Sequence, residues 1–146
     1  MIRYAARFYL GEDGWYMAEV PALKPAMTQG QSPEEIRMMA SELVGALLAH
    51  RVWGKMPGPV PPNDEKLPRG EGWDWVYPPT TTVMAIEIRQ LRDAAGLSMA
   101  EAAERIGVSS GTYQRWEHPE KCNARVDTLE KIAKAFGRHF VGSFVA

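Results

Sequence analysis

The chain has 146 residues, of which 45% are hydrophobic and 24% are charged, a composition typical of a soluble globular protein with one domain or two small ones. With a formal net charge of -1, any binding of nucleic acid would depend on a local basic patch. The single cysteine, Cys122, excludes an internal disulfide and a multi-cysteine metal site. The sequence contains no apolar run of about 18 residues and no signal peptide, so we expect a cytoplasmic protein without a membrane span.

The first third of the chain shows strand periodicity followed by helical periodicity. Apolar and polar residues alternate over Ile2–Leu10, and after a Gly-Glu-Asp-Gly turn a second strand is predicted over Trp15–Val20. A short third strand is predicted over Ala26–Gln29. Ser32 begins a Ser-Pro-Glu-Glu capping pattern, and apolar residues recur at helical spacing from there to about Trp53. This order predicts a β-β-β-α domain.

A proline-rich segment separates this region from the rest of the chain. Seven of the 11 prolines lie in the segment Pro57–Pro79, and because proline disfavours helix the segment is predicted to be an extended connector. Within it, Trp73–Tyr77 alternates and is rich in strand-forming residues, which predicts a short strand that packs back on one domain. We therefore predict one domain over residues 1–79, with the connector and returning strand at about 54–79, and a second domain over residues 80–146.

The second domain shows the pattern of four short helices. Ser98 and Glu101 form a capping box, Ser109 is a further N-cap candidate, and Asp127 begins another box-like pattern. The predicted helices cover residues 86–94, 98–107, 109–117 and 127–137. The alternating segment Phe140–Val145 predicts a short final strand. The predicted fold class is therefore α+β, with an N-terminal β-β-β-α(-β) domain and an all-α domain that ends in a strand.

Two of the predicted helices have the spacing of a helix-turn-helix. They are joined at Gly107, and the small side chain of Ala102 allows the helices to approach closely. The apolar residues that can pack between them are Ile106, Val108, Tyr113 and Trp116. The residues that complete the predicted core are Leu91, Leu97, Leu129, Ile132 and Phe136. Over about residues 86–140, the sequence resembles the Cro/repressor (Xre-like) family of DNA-binding domains.

The resemblance implies that the helix beginning at Ser109 enters the major groove of DNA. The polar residues of this helix, which are the candidate DNA-binding residues, are Ser109, Ser110, Thr112, Gln114 and Arg115. Arg115 matches a base-contacting position of the family and could make a bidentate contact to guanine, whereas Ser109 is suited to hold a phosphate. Gly111 and Met99 depart from the family's pattern, which implies a modest affinity per monomer or an altered reading surface.

The same resemblance implies an ion pair and an oligomer. Arg92 and Glu117 match a buried ion pair that is common in the family and has a structural role. Domains of this kind bind palindromic operators as dimers, with half-sites about 34 Å apart. Phe140–Val145 is a candidate dimer strand because an unpaired apolar edge favours a partner, and pairing within its own chain is the alternative. The alternative to DNA binding is a helix-turn-helix used only for protein contacts.

Four features of the N-terminal domain occur in a recognisable order. They are a hairpin closed by Gly11-Glu12-Asp13-Gly14, the loop Pro21-Ala22-Leu23, the turn Thr28-Gln29-Gly30 and the helix start Glu34-Glu35. In this order they resemble the HicB antitoxin domain over about Arg3–Leu48, although Ala26 stands where that family commonly has Gly or Cys. A hairpin domain followed by a repressor-like domain and a final strand is the layout of one HicB subgroup.

This second resemblance implies both a fold and a function. The fold is a partial RNase H-like domain, and the function is to bind and neutralise a HicA-like toxin that cleaves mRNA. The resemblance further implies a homodimer or tetramer that binds operator DNA and represses its own operon. It assigns no toxin-contacting residue in this chain. The alternative is a one-component transcriptional regulator that senses a small molecule in an apolar pocket, lined by Trp15 and Tyr16 or by Trp73 and Trp75.

The sequence shows no constellation of catalytic residues. A nuclease of the RNase H type needs several carboxylates around two metal ions, and the first predicted strand carries no acidic residue. The three histidines, His50, His118 and His139, are spread along the chain, and helix caps or surface positions account for the first two. We therefore expect no enzyme activity, no metal site and no cofactor.

Overall fold

The computed structural model describes residues 2–23 and 26–145. The chain divides into two compact units, which we call the sheet unit (Met1–Val83) and the helical unit (Met84–Ala146). The division lies inside a helix, a few residues beyond the boundary that the proline pattern predicts. None of the described helices is both long and apolar enough to cross a membrane.

The sheet unit contains a four-stranded antiparallel sheet. The strands are β1 (Tyr4–Leu10), β2 (Tyr16–Glu19), β3 (Met27–Gly30) and β4 (Trp73–Val76), in the spatial order β3-β2-β1-β4. The hairpin pairs Leu10 with Tyr16, and the returning strand pairs Tyr4 with Val76. The prediction that the tryptophan-rich segment packs back on a domain is therefore confirmed, and the predicted strand limits differ from the observed ones by at most two residues.

One long helix, α1 (Pro33–Trp53), covers one face of this sheet. The Ser32 hydroxyl caps it by accepting a hydrogen bond from the Glu35 backbone N–H at 3.0 Å. The Glu35 carboxylate accepts from the backbone N–H of Gln31, the residue before the cap, so the predicted capping pattern forms with this difference. The side chains that α1 buries recur every four residues: Ile36, Ala40, Val44 and Leu48.

Gly30 allows β3 to approach the first turn of α1. Its backbone is buried, and a Cβ atom at this position would lie 2.9 Å from the backbone nitrogen of Ile36. Since real Cβ atoms do not come this close to backbone, any side chain here would push the strand away from the helix. The segment Thr28-Gln29-Gly30, expected as a turn, therefore forms the end of β3, and its glycine is explained by packing.

The proline-rich connector is held against the start of β1. The Tyr4 hydroxyl donates to the carbonyl oxygen of Pro61 at 2.8 Å, and the Asp64 carboxylate accepts from the backbone N–H of Ala5 at 2.8 Å. Burial, and then the nearby charge of Asp64, raise the pKa of Tyr4 to about 12. The Asp64 contact satisfies the backbone N–H of Ala5, a residue of β1 that β2 does not reach, and the Tyr4 contact satisfies a carbonyl of the connector.

The described residues of the helical unit form four helices, the first of which begins before the division. They are α2 (Thr80–Ala94), α3 (Met99–Ile106), α4 (Ser110–Trp116) and α5 (Val126–Ala135). Helix α2 starts six residues earlier than predicted, because the Pro79 carbonyl accepts from the Val83 N–H at 3.1 Å and closes a first turn of threonines. The N-cap of α5 is Arg125, which makes no side-chain cap bond, so the predicted capping start at Asp127 was wrong.

The predicted final strand does not form. The segment Phe140–Val145 has no strand pairing, and Val141 and Phe144 are exposed by 85% and 106%. An extended segment becomes a strand only when a neighbour completes its backbone hydrogen bonds. Among the described residues no strand offers a free edge to which this segment pairs. Its alternating pattern was therefore not sufficient to predict a strand.

Candidate nucleic-acid interface

The α3–turn–α4 segment is built from local hydrogen bonds. The Ser98 hydroxyl accepts from the Glu101 N–H and the Glu101 carboxylate accepts from the Ser98 N–H, both at 3.1 Å, so the predicted capping box is complete. The hydrogen bond that the carboxylate accepts from the Ser98 N–H is the main cause of the lowered pKa of Glu101. At its other end α3 stops at Gly107, whose φ of 88° lies in the left-handed region. The N–H groups of Gly107 and Val108 both donate to the Ala103 carbonyl and form the turn.

Burial of one side of α4 fixes which side chains it presents to solvent. Ala102 of α3 is fully buried, and its small side chain lets the two helices approach closely. Tyr113 and Trp116 are buried with their rings edge to face, 6.1 Å apart at 71°. Because these two residues are three positions apart, they define one buried face, and the remaining positions of α4 lie outside it.

The predicted DNA-binding residues all lie on this exposed side. Helix α4 has seven residues and is therefore about 10 Å long, and its diameter is one that a major groove about 12 Å wide admits. We define its reading face as the exposed residues Ser109, Ser110, Thr112, Gln114 and Arg115. Among the described residues, the Arg115 side chain has no hydrogen bond or ion pair, so its guanidinium group is available for a ligand.

Ser109 and Thr112 form a hydroxyl pair at the start of α4. The Ser109 hydroxyl accepts from the Thr112 N–H at 3.2 Å and donates to the Thr112 hydroxyl at 3.0 Å. In this arrangement Ser109 acts as the helix cap, while Thr112 retains its own proton as a donor. The phosphate contact predicted for Ser109 stays a prediction.

Arg92 and Glu117, the pair implied by the family resemblance, hold α4 against α2. Arg92 Nε donates to Glu117 Oε2 at 2.6 Å, and Nη2 donates to Oε1 at 2.9 Å. Arg92 Nη1 also donates to the Leu97 carbonyl at 2.9 Å, so one guanidinium group joins α2, the loop before α3 and the end of α4. The Glu117 side chain is only 1% exposed, and its hydrogen bonds raise the pKa of Arg92. The pair positions the reading face without belonging to it.

A buried hydroxyl lies beside this ion pair. The Tyr113 hydroxyl has no hydrogen-bond partner among the described residues, although the Glu117 charge is close enough to affect it. Burial raises the pKa of Tyr113 first, and the carboxylate of Glu117 raises it further. Tyr113 is therefore a neutral core residue.

The connection between α4 and α5 adds basic residues that the sequence motifs did not indicate. Lys121 and Arg125 are both exposed, and Arg125 makes only an exposed ion pair with Asp127 at 3.4 Å. In the same connection His118 Nδ1 accepts from the Glu120 N–H at 3.2 Å, so this histidine caps a turn. Isolated basic residues in a short loop produce no periodic signal, and only their place directly after the reading helix marks them.

Comparison with known proteins supports this geometry. The helix-turn-helix family model matches residues 88–142, a range that includes α3, α4, α5 and the C-terminal part of α2. The helical unit is a helix-turn-helix domain. DNA-binding transcription regulation is the function that this domain supports. The prediction of a helix-turn-helix domain is thus confirmed. No curated protein matches the chain.

The sheet unit presents a second surface of distinct composition. Arg37 of α1 contacts Phe8 and Asp74, so residues in register with these two face the helix. The intervening residues face the other way, and we define those that are not buried as the outer sheet face: Arg7, Tyr9, Met17, Glu19, Met27, Gln29, Trp73 and Trp75. The guanidinium group of Arg3 stacks on the Trp75 ring at 3.7 Å. Tyr16, in register with Leu10, lies on the opposite face from Trp75.

Proposed function

We propose that the protein is an operator-binding repressor whose α4 lies in the DNA major groove. The observation that carries this proposal is the arrangement of α4, which buries Tyr113 and Trp116 and exposes all five residues of the reading face. Arg115 is the proposed base-reading residue because its free guanidinium group matches the two acceptors of guanine. Thr112 and Gln114 are proposed to contact phosphates or base edges. The proposed action is binding without catalysis.

The experiment measures the affinity of the full chain for DNA from upstream of its own gene. Arg115→Ala is expected to weaken specific binding by about 1–3 kcal/mol, roughly 5- to 150-fold. The matched control is Arg69→Ala, the same substitution at an exposed position of the connector, which is expected to leave the affinity unchanged. If Arg115→Ala binds like the wild type, the proposed groove assignment is wrong.

We further propose that the sheet unit binds a HicA-like, mRNA-cleaving toxin, which makes the protein a HicB-type antitoxin. The order of hairpin, Thr-Gln-Gly strand end and capped helix supports this proposal. The outer sheet face supports it too, because Trp, Tyr, Met and Arg are the residues enriched at protein interfaces. This face carries both Arg7 and Glu19, so apolar contact and not charge is proposed to dominate the interface.

Two methionines of equal exposure provide a test of this surface. Met27 on the outer sheet face is 55% exposed, and Met38 on α1 is 54% exposed. The full chain is first co-expressed with its neighbouring genes to capture a small protein that arrests growth when expressed alone. Met27→Asp is then expected to weaken binding of that protein at least tenfold, whereas Met38→Asp leaves it unchanged.

The outcomes distinguish two questions: whether a toxin partner exists, and whether it binds the outer sheet face. If the captured toxin binds both variants equally, the outer sheet face is not its binding site. If no neighbouring gene product is toxic or binds, the antitoxin proposal fails and the operator-binding proposal remains. In that case the next candidate partner of the sheet unit is a small-molecule effector.

A further inference from the structure

The helical unit contains a groove between α2, α5 and the segment that follows α5. Its volume is about 350 Å³. Small-molecule sites in proteins measure about 300–1,000 Å³, so the size of the groove fits a small ligand. No residue that lines it belongs to α3 or α4. An occupant would therefore leave the reading face free.

Most of the groove lining is apolar. Ile88, Ile132 and Ala133 line the groove and are buried. Leu91 and Leu129, which were predicted for the core, are half-buried instead and line the open groove. Apolar walls left in contact with water favour an apolar occupant.

Two opposite charges line different walls of the same groove. Glu87 lies on α2, and Arg138 lies in the segment after α5. The two side chains form no ion pair with each other, and neither has an ion pair elsewhere among the described residues. Gln90 and His139 place a further polar group on each of these walls. An unpaired acid and an unpaired base in one apolar groove complement a small ligand that carries both charges.

The backbone at both charged residues is held in place. Gly137 ends α5 with a φ of 66°, in the left-handed region, and the Arg138 N–H donates to the Ala133 carbonyl at 2.8 Å. This turn fixes the point on the groove wall from which the Arg138 side chain extends. Glu87 extends from the interior of α2, where the helix fixes its backbone. Because both backbones are already ordered, a ligand would need to order only side chains, which reduces the entropy lost on binding.

We propose that this groove binds a free apolar amino acid. The ligand's side chain lies between Leu91 and Leu129, its carboxylate accepts hydrogen bonds from Arg138, and its ammonium group donates to Glu87. A guanidinium group can bind a carboxylate through two parallel hydrogen bonds, and the zwitterion neutralises both groove charges at once. An apolar acid without an ammonium group would leave Glu87 unpaired beside a second carboxylate. The inference goes beyond the proposed operator binding and does not rest on it.

The experiment titrates the isotope-labelled full chain with L-phenylalanine, L-tryptophan and L-leucine and follows the backbone amide shifts by NMR. Saturable shifts are expected in α2, α5 and the segment after α5, with a Kd below about 1 mM for at least one of the three. The control ligand is L-serine, which has the same two charges but no apolar side chain. It is expected to bind at least tenfold more weakly.

Two analogues of phenylalanine test the two charges separately. Phenylpropionate lacks the ammonium group and phenethylamine lacks the carboxylate, and each is expected to bind at least tenfold more weakly than phenylalanine. Arg138→Gln should weaken phenylalanine at least tenfold and leave the affinity for phenethylamine unchanged. Glu87→Gln should weaken phenylalanine likewise and leave the affinity for phenylpropionate unchanged. The matched control is Arg69→Gln, which removes another exposed arginine and should bind phenylalanine like the wild type.

Each contrary result overturns a defined part of the proposal. If none of the three apolar amino acids binds saturably, the ligand class is wrong. If phenylpropionate binds as tightly as phenylalanine, the ammonium contact is wrong and the ligand is an apolar acid. An Arg138→Gln variant with wild-type affinity, or shifts outside the groove, overturns the site. Groove shifts that follow protein concentration and not ligand show that a second copy covers the groove, which also overturns the proposal.

This test and the operator test fail independently. The titration contains no DNA, so a chain that binds no amino acid can still bind its operator. Conversely, a chain that binds phenylalanine in the groove but has no operator affinity contradicts the proposed function alone.

Discussion

Gly107 and Gly111 lie four residues apart in the helix-turn-helix domain and have different backbone conformations. Gly107 ends α3 with a φ of 88°, whereas Gly111 lies in the first turn of α4 and has no positive φ. Neither position has another atom within 4 Å of where a Cβ would stand. Any difference between alanine substitutions at these sites therefore comes from backbone conformation and not from packing.

Alanine is expected to have opposite effects at these two positions. Gly111→Ala should raise the free energy of unfolding by about 0.5–1 kcal/mol, because alanine loses less conformational freedom in a helix. Gly107→Ala should lower it by about 1–2 kcal/mol, because a Cβ disfavours the left-handed conformation. Urea denaturation followed by circular dichroism measures both, and a change of the same sign in the two variants would contradict this account.

At the level of helices and strands, the position of α4 depends on a contact with α2 that is distant in sequence. The ion pair between Arg92 and Glu117 is nearly dry, with side chains 12% and 1% exposed. Local hydrogen bonds form α3 and α4, but this ion pair connects the end of α4 to α2 and to the Leu97 carbonyl. The orientation of the reading face therefore depends on two charges that must be present together.

Removing one partner of this pair is expected to cost more than removing both. Arg92→Met should lower the free energy of unfolding by about 3–5 kcal/mol, because it leaves the Glu117 carboxylate buried without a counter-charge. The double variant Arg92→Met with Glu117→Leu should recover much of this stability. Chemical denaturation of the two single variants and the double variant completes the cycle. A double variant less stable than Arg92→Met would show that the charge is not the cause.

Across the molecule as a whole, the charge balance limits how the protein can bind DNA. Residues 1–79 carry 8 basic and 10 acidic side chains, and residues 80–146 carry 9 and 8. Neither part is a polycation, so long-range attraction to DNA is weak and affinity must come from a few local contacts. Lys121 and Arg125, in the connection after the reading helix, are the additional candidates for these contacts.

The dependence of operator affinity on salt concentration is expected to show how many phosphates these two side chains neutralise. Lys121→Ala and Arg125→Ala should each reduce the slope of log K against log salt by about 0.9, and each should weaken binding uniformly across DNA sequences. The control Arg69→Ala should keep the wild-type slope. Unchanged slopes in both loop variants would show that this loop does not contact phosphate.

Elements whose hydrogen bonds close within a few residues could be predicted from the amino-acid order alone. The Ser98–Glu101 box, the glycine stop at Gly107 and the Ser109 cap are local, so α3 and α4 and the exposed side of α4 were predicted correctly. The hairpin β1–β2 was predicted for the same reason, because a short turn sets its register.

Features that need a partner from elsewhere in the chain depended on the tertiary structure. In the structure β4 pairs with β1, α2 begins at Thr80, and Phe140–Val145 forms no strand. Leu91 and Leu129 lie along a groove although their spacing predicted a core. Apolar periodicity tells which side of an element avoids water, but whether a neighbour covers that side depends on contacts that no local pattern encodes.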